Sequence, residues 1–463
     1  MEFGFLLLSI LKLFVILAYL YGLLWALGHQ AWWVKLLGVV LAYGIIQVGF
    51  STGILTAFDS GLFFQASSLV IVSLGLNLIY GFNGQFSLGQ WGFYGLGAYA
   101  SADITYRWVN GDSRGLVVVL AGTMLTGLVI LGVGRLLKKI RDVPVLSAFT
   151  LYILGTILAW LAALLIAKFI DPFLSPLLGS PANPGALSQG LFMQLIFFLA
   201  IALGGVFAAE VSFLFGLPVL TLGSDYFGIA TLGFTIVVNT LMINSDTILP
   251  FPEMKGGRGM LGIPQMGDTA WLWVFVFMLL VIVIMRNMIQ SSTGRAIMSV
   301  REDEIAAKAM GIDIADTKLL AFVVGSLFAG IGGAVYTHST GTGFLSPATF
   351  NFLNGFNPLI IIVFGGLGSM TGTIVASFGW IFFLEGVLRV LLGQMGTEAP
   401  TWRFVLYPIT LLLLMLLRPQ GLLGTVEWGF LKRKVYSLRP ASNGIPAPEA
   451  AGLQGRQNPG EKP

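Results

Sequence analysis

The sequence contains no cysteine and only two histidines, His29 and His338. The first absence excludes disulfides, thiolate chemistry and cysteine zinc sites, and the second leaves too little imidazole for a metal centre. No metal or organic cofactor is therefore expected. Charge is scarce as well: Asp, Glu, Lys and Arg make up 10% of the 463 residues, whereas a soluble domain carries about 25%. The formal net charge of +4 is modest and gathers in loops and the C-terminal tail, which suits membrane orientation and gives no nucleic-acid footprint. No G-x-x-x-x-G-K-[ST] loop occurs, so any ATP that drives this chain must be bound by another polypeptide. Two G-x-G-x-x-G/A matches are discounted: no strand precedes GLGAYA, whose run is intramembrane, and GRGMLG is followed by Ile263-Pro264 where a phosphate cradle needs a helix.

What is present is apolar. Hydrophobic residues make up 56% of the chain, and its 60 glycines are about twice the usual share of roughly 7%. In a membrane, glycine lets helices approach closely and lets backbone break where it is buried or lines a cavity. The expected fold is all-α, a polytopic integral membrane protein of about 11–13 transmembrane helices. Apolar spans lie at about 5–27, 34–57, 116–137, 146–169, 190–216, 216–246, 319–338, 356–367, 372–392 and 403–417, with a further run of membrane length within 66–106 and another ending near Met285. No small-residue cleavage site follows the first of them, so it is read as an uncleaved helix, with Lys12 as its oddity. Arg135, Lys138, Lys139 and Arg141 form a basic cluster that the positive-inside rule places in the cytoplasm, as it does Arg418 and the stretch 432–439. The loop at about 171–189 has no Lys or Arg and should face outward. From Pro440 onward the composition is that of a disordered tail.

Two stretches carry chemistry. The first, within 66–106, sets Asn77, Asn83, Gln85, Ser87 and Gln90 in an apolar run, with Asn83-Gly84 as a turn signal that should break the helix. These amides either bond neighbouring helices or line a path for a solute. Gly97 with Ser101, and Gly368 with Gly372, have the small-xxx-small spacing of close helix contacts. The second stretch, RNMIQSSTGRAIMSVREDEIAAKAMGID at 286–313, is the longest charged passage and lies between two spans. From Ser299 to Met310 it has no Gly or Pro, and Ala296, Val300, Ala307 and Met310 recur at helical spacing, which predicts one short helix with a small apolar face. Gly311 should stop it. Glu210 is read as structural, as are the i,i+4 pair Glu385–Arg389 and His338, a satisfied polar residue near a helix end.

Three passages together resemble one family. GLNLIYGFNGQFSLGQWGFYGLGAYASA, SDYFGIATLGF with GGRGMLGIP, and STGRAIMSVREDEIAAKAMGID with GGLGSMTG and RPQGLLG are similar to the LivM-type permeases of high-affinity branched-chain amino-acid ABC importers. The resemblance covers about 66–105 and 212–424, and spans within 116–170 stand as an insertion relative to it. It divides the chain into N-terminal spans at 1–60, a permease domain at 61–430 and a tail at 431–463. It implies transport of branched-chain amino acids, or of related solutes such as urea or amides, across the bacterial inner membrane. It also implies ATP-binding subunits, a second LivH-like permease and an extracytoplasmic substrate-binding protein. By resemblance, EIAAKAMG is the counterpart of the importer coupling motif, with Glu304, Ala306, Ala307 and Gly311 in the matching places. Residues 301–311 are then expected to dock into an ATPase cleft: Ala306, Ala307 and Gly311 would allow close approach, and Arg301, Glu302, Asp303 and Glu304 would supply the polar contacts. The rival classes are a stand-alone proton-coupled carrier or channel, which should show paired acids near midplane, and an intramembrane enzyme, for which no catalytic pair is evident.

Overall fold

The computed structural model describes residues 2–28, 31–139, 145–179, 191–220, 224–248 and 254–388, together with 409, 412–413, 416–417, 420–424 and 426–431. The span at 403–417, apart from five of its residues, lies outside this set, as do Arg141, Arg389, Arg418, the basic stretch 432–439 and the tail. The elements follow in the order α1 (Glu2–Gly28), α2 (Trp32–Ser51), α3 (Ala57–Leu76), α4 (Gln90–Val109), α5 (Arg114–Lys139), α6 (Val145–Leu178), α7 (Leu191–Val219), α8 (Ser224–Ile243) and the single turn α9 (Ser245–Ile248). After them come α10 (Ala270–Gln290), α11 (Ser292–Glu302), α12 (Glu304–Ala309), α13 (Ile314–Ser339), α14 (Phe356–Gly365) and α15 (Met370–Ile381). Two strands of two residues each, Met260–Leu261 and Phe344–Leu345, pair antiparallel between the α8–α10 and α13–α14 connections.

Among the described residues, nine helices are long and apolar enough to cross a membrane. The chain is an all-α, multi-pass inner-membrane protein. The shorter apolar helices α14 and Met370–Glu385 are additional to the nine, and so is α4, which is 20 residues long and largely buried.

The core is built where α3, α4, α7 and α13 meet, and glycine makes that meeting possible. A Cβ on Gly97 of α4 would stand 2.2 Å from Gly330 O of α13, and one on Gly204 of α7 would stand 2.7 Å from Gly97 O. Three backbones therefore touch at one level, which no larger side chain would allow. Gly75 and Gly325 bring α3 onto α13 in the same way. Around this contact, rings fill the remaining volume: Phe93 stacks on Phe234 at 4.4 Å and meets Phe322 edge-on at 5.5 Å.

Lys12, the lone cation of α1, reaches Asp59 at the start of α3, 2.8 Å away. Asp59 also closes a capping box with Thr56. A charge that costs free energy inside an apolar helix is thus matched by one on the neighbouring helix.

The α5–α6 pair packs on itself and against α4 and α7, and it differs from expectation at one end. The sequence suggests a loop from about residue 171, but α6 continues through Pro172 and Pro176 to Leu178. Proline disfavours helix interiors, yet here tertiary contacts hold the last turns. Asp171 accepts from Ser113 Oγ at 2.8 Å, Ser175 Oγ donates to Gly111 O, and Leu174 and Leu178 pack with Trp108 and Ile196. The remainder of the outward loop, 180–189, lies outside the described residues.

Candidate functional site

The polar stretch after α3 does break the helix. The last turns widen into a π-helical segment, Asn77–Phe82, and Gly84 then takes a positive φ of 80°. A left-handed residue there ends the helix, and glycine adopts it without steric cost. Asn77 sits in the widened turn, fully buried, with its amide committed to the loop before α15 and to the first turn of α15. Its Oδ1 accepts from Gly368 N at 2.9 Å, and its Nδ2 donates to Ser369 O at 2.9 Å and Thr373 Oγ1 at 2.8 Å. Asn83 Nδ2 donates to Gln85 Oε1 at 2.8 Å, and Ser87 Oγ accepts from Gly89 N at 3.3 Å. Leu88 is held to α8 on both sides, by Thr231 Oγ1 on its N–H and Thr235 Oγ1 on its carbonyl. Gln90 is buried, and neither atom of its side-chain amide has a protein hydrogen-bond partner.

Between α10 and α13 the charged stretch departs from the expected single helix. Asp303 is extended, with φ −160° and ψ 114°, and splits the passage into α11 and α12. The cause is local: Asp303 Oδ1 accepts from Ile305 N at 2.8 Å and Ala306 N at 3.0 Å, so the residue caps a second helix in place of continuing the first. Gly311, with φ 82°, follows the end of α12 as the sequence suggests. The faces are also redistributed. Ile297, Val300 and Ala307 are buried, whereas Met310, expected on one apolar face with Val300 and Ala307, is 83% exposed, and Ile305 is 84% exposed. Ala307 therefore packs inward, Ala306 and Gly311 face outward, and Glu302 is exposed.

Arg301 and Glu304 tie the stretch to the helices around it. Arg301 Nη1 donates to Gly81 O at 2.5 Å, in the π-helical turn of the broken helix. Glu304 pairs with Lys318 of α13 at 2.6 Å.

A further contact layer was not legible in the sequence. Glu427, which follows RPQGLLG, caps α15: its carboxylate accepts from Met370 N at 2.8 Å and Thr371 N at 2.9 Å. Leu422 N donates to Phe364 O at 2.8 Å, so this passage lies along the end of α14. Arg286 at the end of α10 donates to Phe430 O at 2.9 Å and lies 4.2 Å from that residue's ring centroid.

One cavity of about 310 Å³ opens among α3, α4, α13, residues 349–357 and the end of α15 with the segment that follows it. Trp91, Tyr94, Tyr336 and Trp380 give it aromatic walls; Gln65, Asn354, Asn357 and Glu385 give it polar groups. None of Asn77, Asn83, Gln85, Ser87 and Gln90 lines it; Trp91, next to Gln90, does. Glu385 stands in a second π-helical segment, Phe382–Leu388, and its expected partner Arg389 lies outside the described residues. Of the remaining singled-out residues, Glu210 is buried with Oε2 unpartnered, and His338 is buried with Nδ1 3.2 Å from Pro264 O.

The model of the family described as branched-chain amino acid transport system / permease component matches residues 59–172 and 160–416. The chain is similar to the high-affinity branched-chain amino acid transport system permease protein LivM of Salmonella typhimurium, 29% identical over 254 residues, which is 49% of this chain and 57% of the relative. LivM of Escherichia coli matches with the same figures. The probable branched-chain amino acid transport permease protein LivM of Methanocaldococcus jannaschii is 25% identical over 248 residues, 49% of this chain and 68% of the relative. The chain thus spans little more than half the length of the two bacterial relatives. No solved structure matches it.

Proposed function

Because the chain belongs to the branched-chain amino acid transport permease family, we propose that it is the permease subunit of an ATP-binding-cassette importer that moves branched-chain amino acids, or related small polar solutes, across the inner membrane. ATP is hydrolysed by separate ATP-binding subunits. A second LivH-like permease completes the membrane unit, and an extracytoplasmic binding protein delivers the solute.

The observation that carries this reading is the pair Ile305 and Met310. Both side chains stand more than four-fifths exposed, Ile305 on α12 and Met310 at its C-terminal end, in a passage joined to two spans, while Val300 and Ala307 anchor the same passage inward. Large apolar side chains held out on a rigid, charged element mark a protein-docking surface. The ion pair of Glu304 with Lys318 and the bond from Arg301 to Gly81 tie the element to α13 and to the end of α3. A push on the docked helix therefore reaches both. Glu302, exposed beside it, and the small residues Ala306 and Gly311 complete the docking face.

Reconstitution with the ATPase and receptor subunits tests this. Ile305→Asp and Met310→Asp should leave insertion intact and lower ATPase association and solute uptake by at least about tenfold, since central docking residues contribute about 2 kcal/mol or more. Full uptake by either variant would remove the segment from the mechanism. Uptake by the chain alone, with no ATPase present, would establish a stand-alone carrier.

A further inference from the structure

We propose that Glu210 is a proton-binding site at the seam where the α5–α6 pair meets α7, and that the bound proton fastens the pair to the rest of the chain. The site is independent of the import function proposed above, and its failure would leave that function untouched.

Ring and glycine contacts fix the level of Glu210. A Cβ on Gly122 of α5 would stand 2.8 Å from the Trp160 ring of α6, and one on Gly155 of α6 would stand 2.5 Å from Val129 Cγ1 of α5, so these two helices run antiparallel. Trp160 meets Phe207 edge-on at 5.5 Å, and Tyr152 meets Phe213 edge-on at 5.5 Å, so α6 is antiparallel to α7 as well. Hence α5 and α7 are parallel, and Val119 and Leu203 share one apolar cluster across them. Seven residues further along each helix, two turns or about 10.5 Å, stand Thr126 and Glu210. The helical repeat brings them to one level on facing sides, between the Trp160–Phe207 contact and the Tyr152–Phe213 contact.

Both polar groups are buried and idle. Thr126 is fully buried with no hydrogen-bond partner for Oγ1, and Glu210 is 9% exposed with none for Oε2. The neighbouring hydroxyls are spent: Thr123 Oγ1 donates to Leu120 O at 3.0 Å, and Thr156 Oγ1 to Tyr152 O at 2.8 Å. Among the described residues no Lys, Arg or His pairs with Glu210. On the facing helices the nearest titratable groups along the chain are Tyr152, whose ring is taken up by Phe213, and Arg135 of α5, exposed nine residues beyond Thr126. An ionised carboxylate held there alone is far costlier than the neutral acid. Two oxygens from two helices are too few for a metal ion, whose shell needs about four or more ligands. A proton needs one acceptor, and it gives the acid a donor for Thr126 Oγ1. No other Asp or Glu occurs on α5 or α7, and the acid of α6, Asp171, lies toward its opposite end, so the site is a fastening and not one step of a relay. Elsewhere on α7, Gly204 and Gly205 pack on Gly97 and on Ile331 of α13. A bare charge at Glu210 would therefore part the α5–α6 pair from α7 and leave that core contact in place.

The test exposes the purified full chain in lipid nanodiscs to dicyclohexylcarbodiimide near neutral pH and locates the adduct by mass spectrometry. This apolar reagent adds to a carboxylic acid and not to a carboxylate, and ends as an N-acylurea. Glu210 should be labelled, and neither sodium nor potassium should protect it. Glu210→Gln, neutral and of the same shape, should lose the label and melt within about 2 °C of the unaltered chain. Thr126→Val should lower the melting temperature when Glu210 is present and not in Glu210→Leu, because it removes a partner that only the acid uses. Protection by sodium or potassium would identify a metal-ion site, and a larger fall in the melting temperature of Glu210→Gln would identify an ionised carboxylate; either result overturns the proposal. So would absence of the label from Glu210, or an equal effect of Thr126→Val with and without the acid.

Discussion

Arg301 and Gly81 are 220 residues apart, and the guanidinium of the first donates to the carbonyl of the second at 2.5 Å. Gly81 lies in the π-helical turn that ends α3, and a Cβ on it would fall 2.6 Å from Gly368 N. The charged passage between α10 and α13, the broken helix and the loop before α15 therefore meet at one point. Asn77 bonds the last two together. Because buried backbone carbonyls need donors, the freed carbonyl of a broken helix gives Arg301 a fixed seat.

Removing this latch should separate docking from transport. Arg301→Leu should insert and still hold the ATPase through Ile305 and Met310, yet lower uptake at least about tenfold per ATP hydrolysed, with a charged hydrogen bond of about 1.5–3 kcal/mol lost. Parallel measurement of hydrolysis and uptake in reconstituted complexes checks it. An unchanged ratio would show that Arg301 only anchors the loop.

Orientation is testable because the chain contains no cysteine. Ser292 and Lys308 lie in the passage expected inside, and Thr342, exposed, follows the opposite end of α13. Cysteines at 292 and 308 should resist an impermeant thiol reagent in intact cells, and one at 342 should react. Labelling at 308 from outside would reverse the topology.

The Lys12–Asp59 pair should be worth more as a pair than as two polar residues. The Lys12 side chain is 28% exposed and that of Asp59 5%, so Lys12→Met leaves a carboxylate buried and should destabilise by about 3 kcal/mol. Lys12→Met combined with Asp59→Asn should recover much of this. Thermal unfolding of the detergent-solubilised chain provides the readout, and additive losses would mean that the two residues do not interact.

Gly97 is the strictest packing position. Gly97→Val places side-chain atoms where Gly330 and the α7 backbone at Gly204 already stand, and it should cost about 3 kcal/mol or more through forced separation of α4, α7 and α13. Gly127, with nothing within 4 Å of its would-be Cβ, is the control: Gly127→Val should be tolerated. A drop in folded yield for the first and not the second, read by gel filtration, is the expected result.

Composition and spacing alone determine the membrane class, the helix break at Asn83-Gly84, the close approach at Gly97 and the helix stop at Gly311, and three contiguous passages carry the family resemblance, because each depends on a local property. Hydropathy sets where a segment is solvated, glycine sets where backbone can turn or touch, and a motif is contiguous by definition. Only the tertiary structure decides which neighbour each polar group finds. Asn77 reads from the sequence as a candidate path residue and is saturated by a loop about 290 residues away. Asp303, read as part of a helix, caps a new one; Met310, read as sharing an apolar face with Val300 and Ala307, faces out while they are buried. Glu427 and Lys318 show no local signal, since each works on a helix distant in sequence. The cavity is the extreme case: its walls come from α3, α4, α13, residues 349–357 and residues 380–385, and no periodicity within one segment encodes a space that five segments must enclose together.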